Sequence, residues 1–324
     1  MTIPKPKIIK AERYIGGLSK IKKVDNPIKL SANESALGPS PKAIKALEKD
    51  KEKIFAYPQS DSDVLRDAIS KKFNIDPDRI ICGAGSDQIF DFACKLFLEL
   101  GDEVIVTEFG FIMHRIYAAL HGAKVLFAKE KNFKASVDEI LNKVTDKTKI
   151  VFLANPNNPT GTYLSKNEMI NLRKKLRSNI LLIIDDAYYE FVDKDDFISG
   201  LDLFKDKPNV LITRTFSKIY GLAGLRSGWG YSSKEIIDAM YQIKPSLANL
   251  LKTSSEFFLV LSKFIKKKFA VGLFATIFTS SKIENIFFAH NVLCSIALFV
   301  HSLSLMASVL AVSAALLTLN GGLI

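Results

Sequence analysis

Residues 210–228 read VLITRTFSKIYGLAGLRSG. The first five, VLITR, are β-branched and apolar enough for a buried strand, and TFSKIYGLAGLRSG follows at once. Lys218 there stands among small hydroxyl residues, and Arg226 follows eight positions later. A lysine amine can form a Schiff base with an aldehyde, while Ser217 and Arg226 carry donors that suit a phosphate. A ligand bearing both groups would need this segment; an ordinary surface lysine after a strand would also satisfy it. Alone, the segment leaves both readings open.

Working outward, short β-branched runs alternate with amphipathic segments over residues 31–232. Strands are expected at 103–107 (EVIVT), 124–128 (KVLFA), 149–154 (KIVFLA), 180–185 (ILLIID) and 210–214. Helical periodicity falls between most of them, at 62–73, 87–100, 113–121, 137–143 and 166–176. Strands separated by helices predict an α/β fold with a parallel-rich sheet, whose ligand sites lie at the carboxyl ends of the strands.

Three further motifs sit where such sites form. NPNNPTG (155–161) follows the KIVFLA strand and suits a rigid turn presenting an amide, such as that of Asn158. DDAYYEF (185–191) ends the ILLIID strand and brings out the Asp185 carboxylate and the Tyr188 phenol; an aspartate in that place is as often a helix cap. CGAGSDQ (82–88) precedes a helix, so that Gly85, Ser86 and Asp87 either admit a phosphate to the helix N-terminus or form a capped glycine turn.

The chain has 324 residues, of which 48% are hydrophobic and 24% charged, with three cysteines; this excludes a disordered, collagen-like or disulfide-built chain. Net charge is +11, yet the lysines are interleaved with acids and no zinc spacing or RNA-binding aromatic pattern accompanies them. A solvated surface, with no nucleic-acid partner, is expected. His114, His121, His290 and His301 show no metal spacing and no carboxylate constellation, so no metal site is expected. Residues 1–10 carry Lys and Pro without an apolar run, which predicts no signal peptide and a cytoplasmic location.

Taken together and in order, these motifs resemble the fold-type I pyridoxal-phosphate-dependent aminotransferases over about residues 12–245. Within that superfamily the chain is similar to the histidinol-phosphate aminotransferase family, on YIGG (14–17), LSANESALGPSP (30–41), Tyr57-Pro58 followed by Leu65-Arg66, and EFGFIMH (108–114). The resemblance implies the large domain of that fold, a mostly parallel seven-stranded sheet flanked by helices. It implies pyridoxal 5'-phosphate as cofactor, and amino transfer between glutamate and imidazole-acetol phosphate in histidine biosynthesis. Lys218 would bind the cofactor's aldehyde, and Asp185 would pair with the pyridine nitrogen. Asn158 and Tyr188 would reach the ring hydroxyl, and Phe111 would cover the ring face. Gly85, Ser86, Ser217 and Arg226 would surround the phosphate, with Asp87 and Thr215 beside them. Tyr57 would reach the cofactor of a partner subunit, implying a homodimer, while Tyr14 and Asn33 would lie on the substrate side. An aromatic amino-acid aminotransferase or a threonine-phosphate decarboxylase shares this motif set.

The implied organisation is an N-terminal arm (1–30), a cofactor-binding domain (31–232), a connecting helix (233–245) and an apolar tail (246–324). The tail departs from the family. It holds six lysines and two glutamates but no Arg, Asp or Pro, and the chain has no arginine after Arg226. The family's small domain, with its substrate-binding arginines, is thus missing or replaced. A shifted reading frame near codon 245 is one account of this change. The other account is a membrane span at 292–319, whose 28 residues carry no Asp, Glu, Lys or Arg. A remnant that binds cofactor without turnover also follows from the missing arginines.

Overall fold

The computed structural model describes residues 11–17, 22, 28–53 and 55–245. These belong to a compact unit spanning Met1–Lys268; a second unit, Phe269–Ile324, lies outside the described residues, as do the frame-shift and membrane expectations for the tail. Among the described residues no helix is long and apolar enough to cross a membrane.

In chain order the elements are α1 (Pro41–Asp50), α2 (Asp63–Phe73), β1 (Ile80–Gly83), α3 (Ser86–Phe97), β2 (Glu103–Thr107), α4 (Ile112–Leu120) and β3 (Lys124–Ala128). A short hairpin, β4 (Glu130–Lys131) and β5 (Lys134–Ala135), precedes α5 (Val137–Asn142), β6 (Thr148–Ala154), α6 (Lys166–Lys175) and β7 (Leu181–Asp185). The last are α7 (Gly200–Phe204), β8 (Val210–Thr215), β9 (Gly228–Tyr231) and α8 (Lys234–Ile243). All five expected strands are present within a residue at each end. β1 and β9 were not expected, nor were α1, α7 and the hairpin.

Seven strands form one sheet in the order β1-β9-β8-β7-β6-β2-β3. The β8-β7-β6-β2-β3 block is parallel, whereas β9 runs antiparallel to both β8 and β1. Parallel strands covered on both faces read as continuous apolar runs, and β2, β7 and β8 are buried at every residue. The two-residue alternation splits each strand between two cores. Val151, Leu153, Leu182, Ile184 and Ile212 face α2, α5, α6 and α7, while Ile150, Phe152, Leu181, Ile183 and Leu211 face α3, α4 and α8. Full burial of one such side chain contributes about 1.5–3 kcal/mol, so the helical layers are held chiefly by these two apolar faces.

Helix starts follow local chemistry. At α6 the Ser165 hydroxyl accepts from Glu168 N while the Glu168 carboxylate accepts from Ser165 N, satisfying two amides that the first turn leaves open. Strand order reverses its sense between β2 and β6, and at such a switch point the loops part and leave a crevice at the carboxyl edge.

Candidate active site

Four loops at that edge carry the expected residues. Phe111 follows β2, Asn158 follows β6, Tyr188 follows β7 and Lys218 follows β8. Asp185 is the last residue of β7 and is 4% exposed. Its Oδ1 accepts a hydrogen bond from the Thr213 hydroxyl at 3.3 Å, and its Oδ2 lies 3.6 Å from His114 Nε2. The His114 ring is 2% exposed, stacks on Phe152 at 4.7 Å and meets the edges of Phe90 and Phe111 at 4.8 and 5.6 Å. The expectation that His114 has no carboxylate near it is therefore corrected. The approach comes from α4 and β7 meeting across the sheet, which no spacing in the chain records. His121 likewise has a carboxylate neighbour, Asp91 at 2.8 Å.

Lys218 is half-buried, and its Nζ donates to the carbonyl oxygen of Ala32 at 3.1 Å while lying 5.4 Å from the Tyr188 ring centroid. Burial lowers the proton affinity of its amine, and attraction to Asp185 works in the opposite direction. A lowered value raises the neutral, nucleophilic fraction. Burial pushes the Tyr188 phenol up to about 12, against the hydrogen bond from Asn33, so it stays protonated and able to donate at neutral pH. Asn33 Nδ2 donates to Tyr188 Oη at 3.1 Å and to Asn158 Oδ1 at 3.4 Å. Asn33 thus joins the two groups expected at a ring hydroxyl, a role the substrate-side reading had not given it.

At the start of α3, Gly85 takes the cap position with φ of 80°, a conformation that suits a residue without Cβ. Ser86 is the first residue of the helix, whose open N–H groups and positive dipole end favour an anion. Arg226, itself at φ 47°, sends Nη1 to the Ser217 hydroxyl at 3.4 Å and Nη2 to Asp87 at 3.2 Å. A Cβ built on Gly85 would come within 2.8 Å of Arg226 Nη2, so the missing side chain is what leaves room beside the guanidinium. β9 presses close behind: a Cβ on Gly228 would meet Gly85 C and Ser86 N at 2.5 Å.

Two expected residues have duties within the fold. Thr215 Oγ1 accepts from Ser217 N at 3.1 Å and so shapes the turn, and the Asp87 carboxylate is engaged by Arg226. Tyr14 is 52% exposed near Tyr188, and Tyr57 is 83% exposed; among the described contacts none joins Tyr57 to the cluster. In the NPNNPTG turn, Asn155 serves structure. It is 1% exposed, its Oδ1 accepts from Leu164 N at 2.7 Å, and its Nδ2 donates to Leu164 O at 3.2 Å.

The geometry therefore assembles a half-buried amine, a buried carboxylate backed by an imidazole, a paired phenol and amide, and an anion cup. That donor set matches an aldehyde-bearing aromatic phosphate, end for end. The sequence pattern of the aminotransferase class I and II family covers residues 25–256, and the chain belongs to this family. A histidinol-phosphate aminotransferase of Pelagibacter ubique is 60% identical over 245 residues, which are 76% of this chain and 68% of that one. The enzyme of the same name from Paramagnetospirillum magneticum is 46% identical, over 74% of this chain and 66% of its own. The crystal structure of histidinol-phosphate aminotransferase from Sinorhizobium meliloti in complex with pyridoxal-5'-phosphate superposes with a TM-score of 0.67 at 27% identity, covering 72% of this chain and 64% of that one. The chain spans about two thirds of the length of these relatives.

Proposed function

We propose that this chain is a pyridoxal-phosphate-dependent transaminase of the histidinol-phosphate type, moving an amino group between glutamate and imidazole-acetol phosphate. The observation that carries the reading is the placement of Lys218 between Asp185, Tyr188 and the Gly85–Arg226 cup on one sheet edge. When bound, pyridoxal 5'-phosphate supplies an aldehyde that condenses with primary amines and a protonated ring that withdraws electrons.

The chain's own residues supply the rest. The α3 N-terminus, Ser86, Ser217 and Arg226 hold the phosphate. Asp185, kept in place by Thr213 and backed by His114, holds a proton on the ring nitrogen. Tyr188 Oη and Asn158 Nδ2 donate toward the ring hydroxyl oxygen, and Phe111 covers the ring face. Lys218 Nζ would hold the cofactor's aldehyde end and would serve as the base that takes the proton from the substrate's α-carbon. Residues 31–232 would form the cofactor-binding domain and 233–245 the connection beyond it. Tyr57 and Tyr14, both exposed, suit contacts made across a homodimer and toward substrate. A cytoplasmic enzyme follows from this biosynthetic role.

A second reading, cofactor binding without turnover, is favoured by the lack of any arginine after Arg226. The purified chain mixed with pyridoxal phosphate should develop a visible absorbance band that Lys218→Ala abolishes. Turnover of histidinol phosphate with 2-oxoglutarate then supports the transaminase, and the band without turnover supports the second reading. A folded chain with no band overturns both.

A further inference from the structure

The side of β8 opposite the candidate site carries a cation in an apolar setting. Thr213 faces Asp185, and because strand residues alternate, Arg214 points to the other face, where it is 3% exposed. Its guanidinium carbon lies 3.5 Å from the Tyr189 ring centroid, 4.8 Å from that of Phe73 and 5.6 Å from that of Trp229. Nη2 is 3.5 Å from Asp186 Oδ2, while Nε and Nη1 are buried with no hydrogen-bond partner among the described residues. A charge so placed is held by its ion pair and by the aromatic faces around it.

The partners of Arg214 are the chain neighbours of the site residues. Asp186 and Tyr189 bracket the Ala187-Tyr188 pair, and Asp186 is also fastened by Gly200 N at 3.2 Å and Leu201 N at 3.4 Å. Glu190 faces Arg214 from the same loop and engages the phenol of Tyr220, two residues after Lys218. Lys72 of α2 adds a second cation to the cluster. One buried guanidinium therefore contacts the loop that carries Tyr188 and reaches, through Glu190 and Tyr220, the loop that carries Lys218.

We propose that Arg214 is a positioning residue for this site, holding the Tyr188 and Lys218 loops in one register from the far face of the sheet. The proposal rests on the cofactor reading given above. Loosening the register withdraws the Tyr188 phenol from the ring hydroxyl oxygen. That hydrogen bond favours the form of the bound cofactor with a negative oxygen, so its loss raises the pH at which the visible band changes.

The full chain is compared with Arg214→Lys, which keeps the charge but loses the plane stacked on Tyr189, and with Glu190→Gln, which keeps the shape but alters the link to Tyr220. Ile183→Val, a core change in β7, supplies a control of lowered stability alone. Thermal midpoints and the emission of Trp229, the one tryptophan of the chain, first report whether each variant folds around the cluster. In Arg214→Lys the pH midpoint of the visible band should rise by about one unit, a tenfold change in proton affinity, and in Glu190→Gln by less. Ile183→Val should leave it in place. The proposal is overturned if Arg214→Lys and Glu190→Gln move the midpoint no more than Ile183→Val does. If Arg214→Lys does not fold, the comparison of Glu190→Gln with Ile183→Val decides. A wild-type chain without a band that depends on Lys218 removes the cofactor reading, and this proposal with it.

Discussion

His114 Nε2 stands 3.6 Å from Asp185 Oδ2 in a pocket closed by Phe90, Phe111 and Phe152. The imidazole comes from α4 and the carboxylate from β7, so the pair ties a helix of one layer to the edge of the sheet. His114→Phe should preserve the ring packing while removing the polar neighbour of Asp185. The 3.6 Å approach is a close polar contact rather than a hydrogen bond, so its loss should cost about 1 kcal/mol and weaken pyridoxal phosphate binding by a few-fold. Titration of the visible band checks this, and unchanged affinity would mean that Asp185 is set by Thr213 alone.

Asn155 and Asn158 lie three residues apart in one turn and should fail differently. Asn155→Ala leaves the amide and carbonyl of Leu164 buried without their partners, which costs about 2–3 kcal/mol in a urea melt. Asn158→Ala should leave the melt nearly unchanged and weaken cofactor binding. Equal loss of stability in both would refute the division of labour.

Gly85→Ala should damage the anion cup without disturbing either core. The residue sits at φ 80° and a methyl would press on Arg226, so the strain is about 1–3 kcal/mol. Inorganic phosphate, which protects the wild-type chain against thermal unfolding if the cup is formed, should protect this variant much less.

Burial lifts Asp186 and Glu190 from 3.8 and 4.5 to about 7 in the folded chain. Between these limits the folded state binds more protons than the unfolded one, so stability falls as pH rises from about 4 to about 7. Glu190→Gln should flatten that slope, as measured by chemical denaturation at several pH values; an unchanged slope would place the titration elsewhere.

Much of this was legible from the chain. Long apolar runs such as KIVFLA and ILLIID declare themselves because both of their faces are covered. β1 (IICG) and β9 (GWGY) escaped because each has four residues, glycine among them, and too little pattern to distinguish a strand from a turn. In the site, the positions of Lys218, Asp185 and Tyr188 just at or after strand ends were readable because apolar runs mark those ends, whereas the roles proposed for them come from the family resemblance. The approach of His114 to Asp185 bridges 71 positions, and nothing within VLITR itself names the rings of Tyr189 and Phe73 that surround Arg214. Such contacts are products of layer packing, which local sequence does not encode.

The place of β9 has a consequence for the edge of the sheet. β1 is attached to the sheet through β9 alone, so one of the earliest strands of the chain depends on the last. β2, β3, β6, β7 and β8 pair among themselves without β9, whereas Ile80–Gly83 has no strand partner other than β9 and otherwise packs on the helices beside it. Residues 228–231 lie between β1 and β8, and Gly228 packs against the backbone of Gly85 and Ser86. The same four residues therefore both close the edge of the sheet and bring the backbone of the Gly85 turn into place.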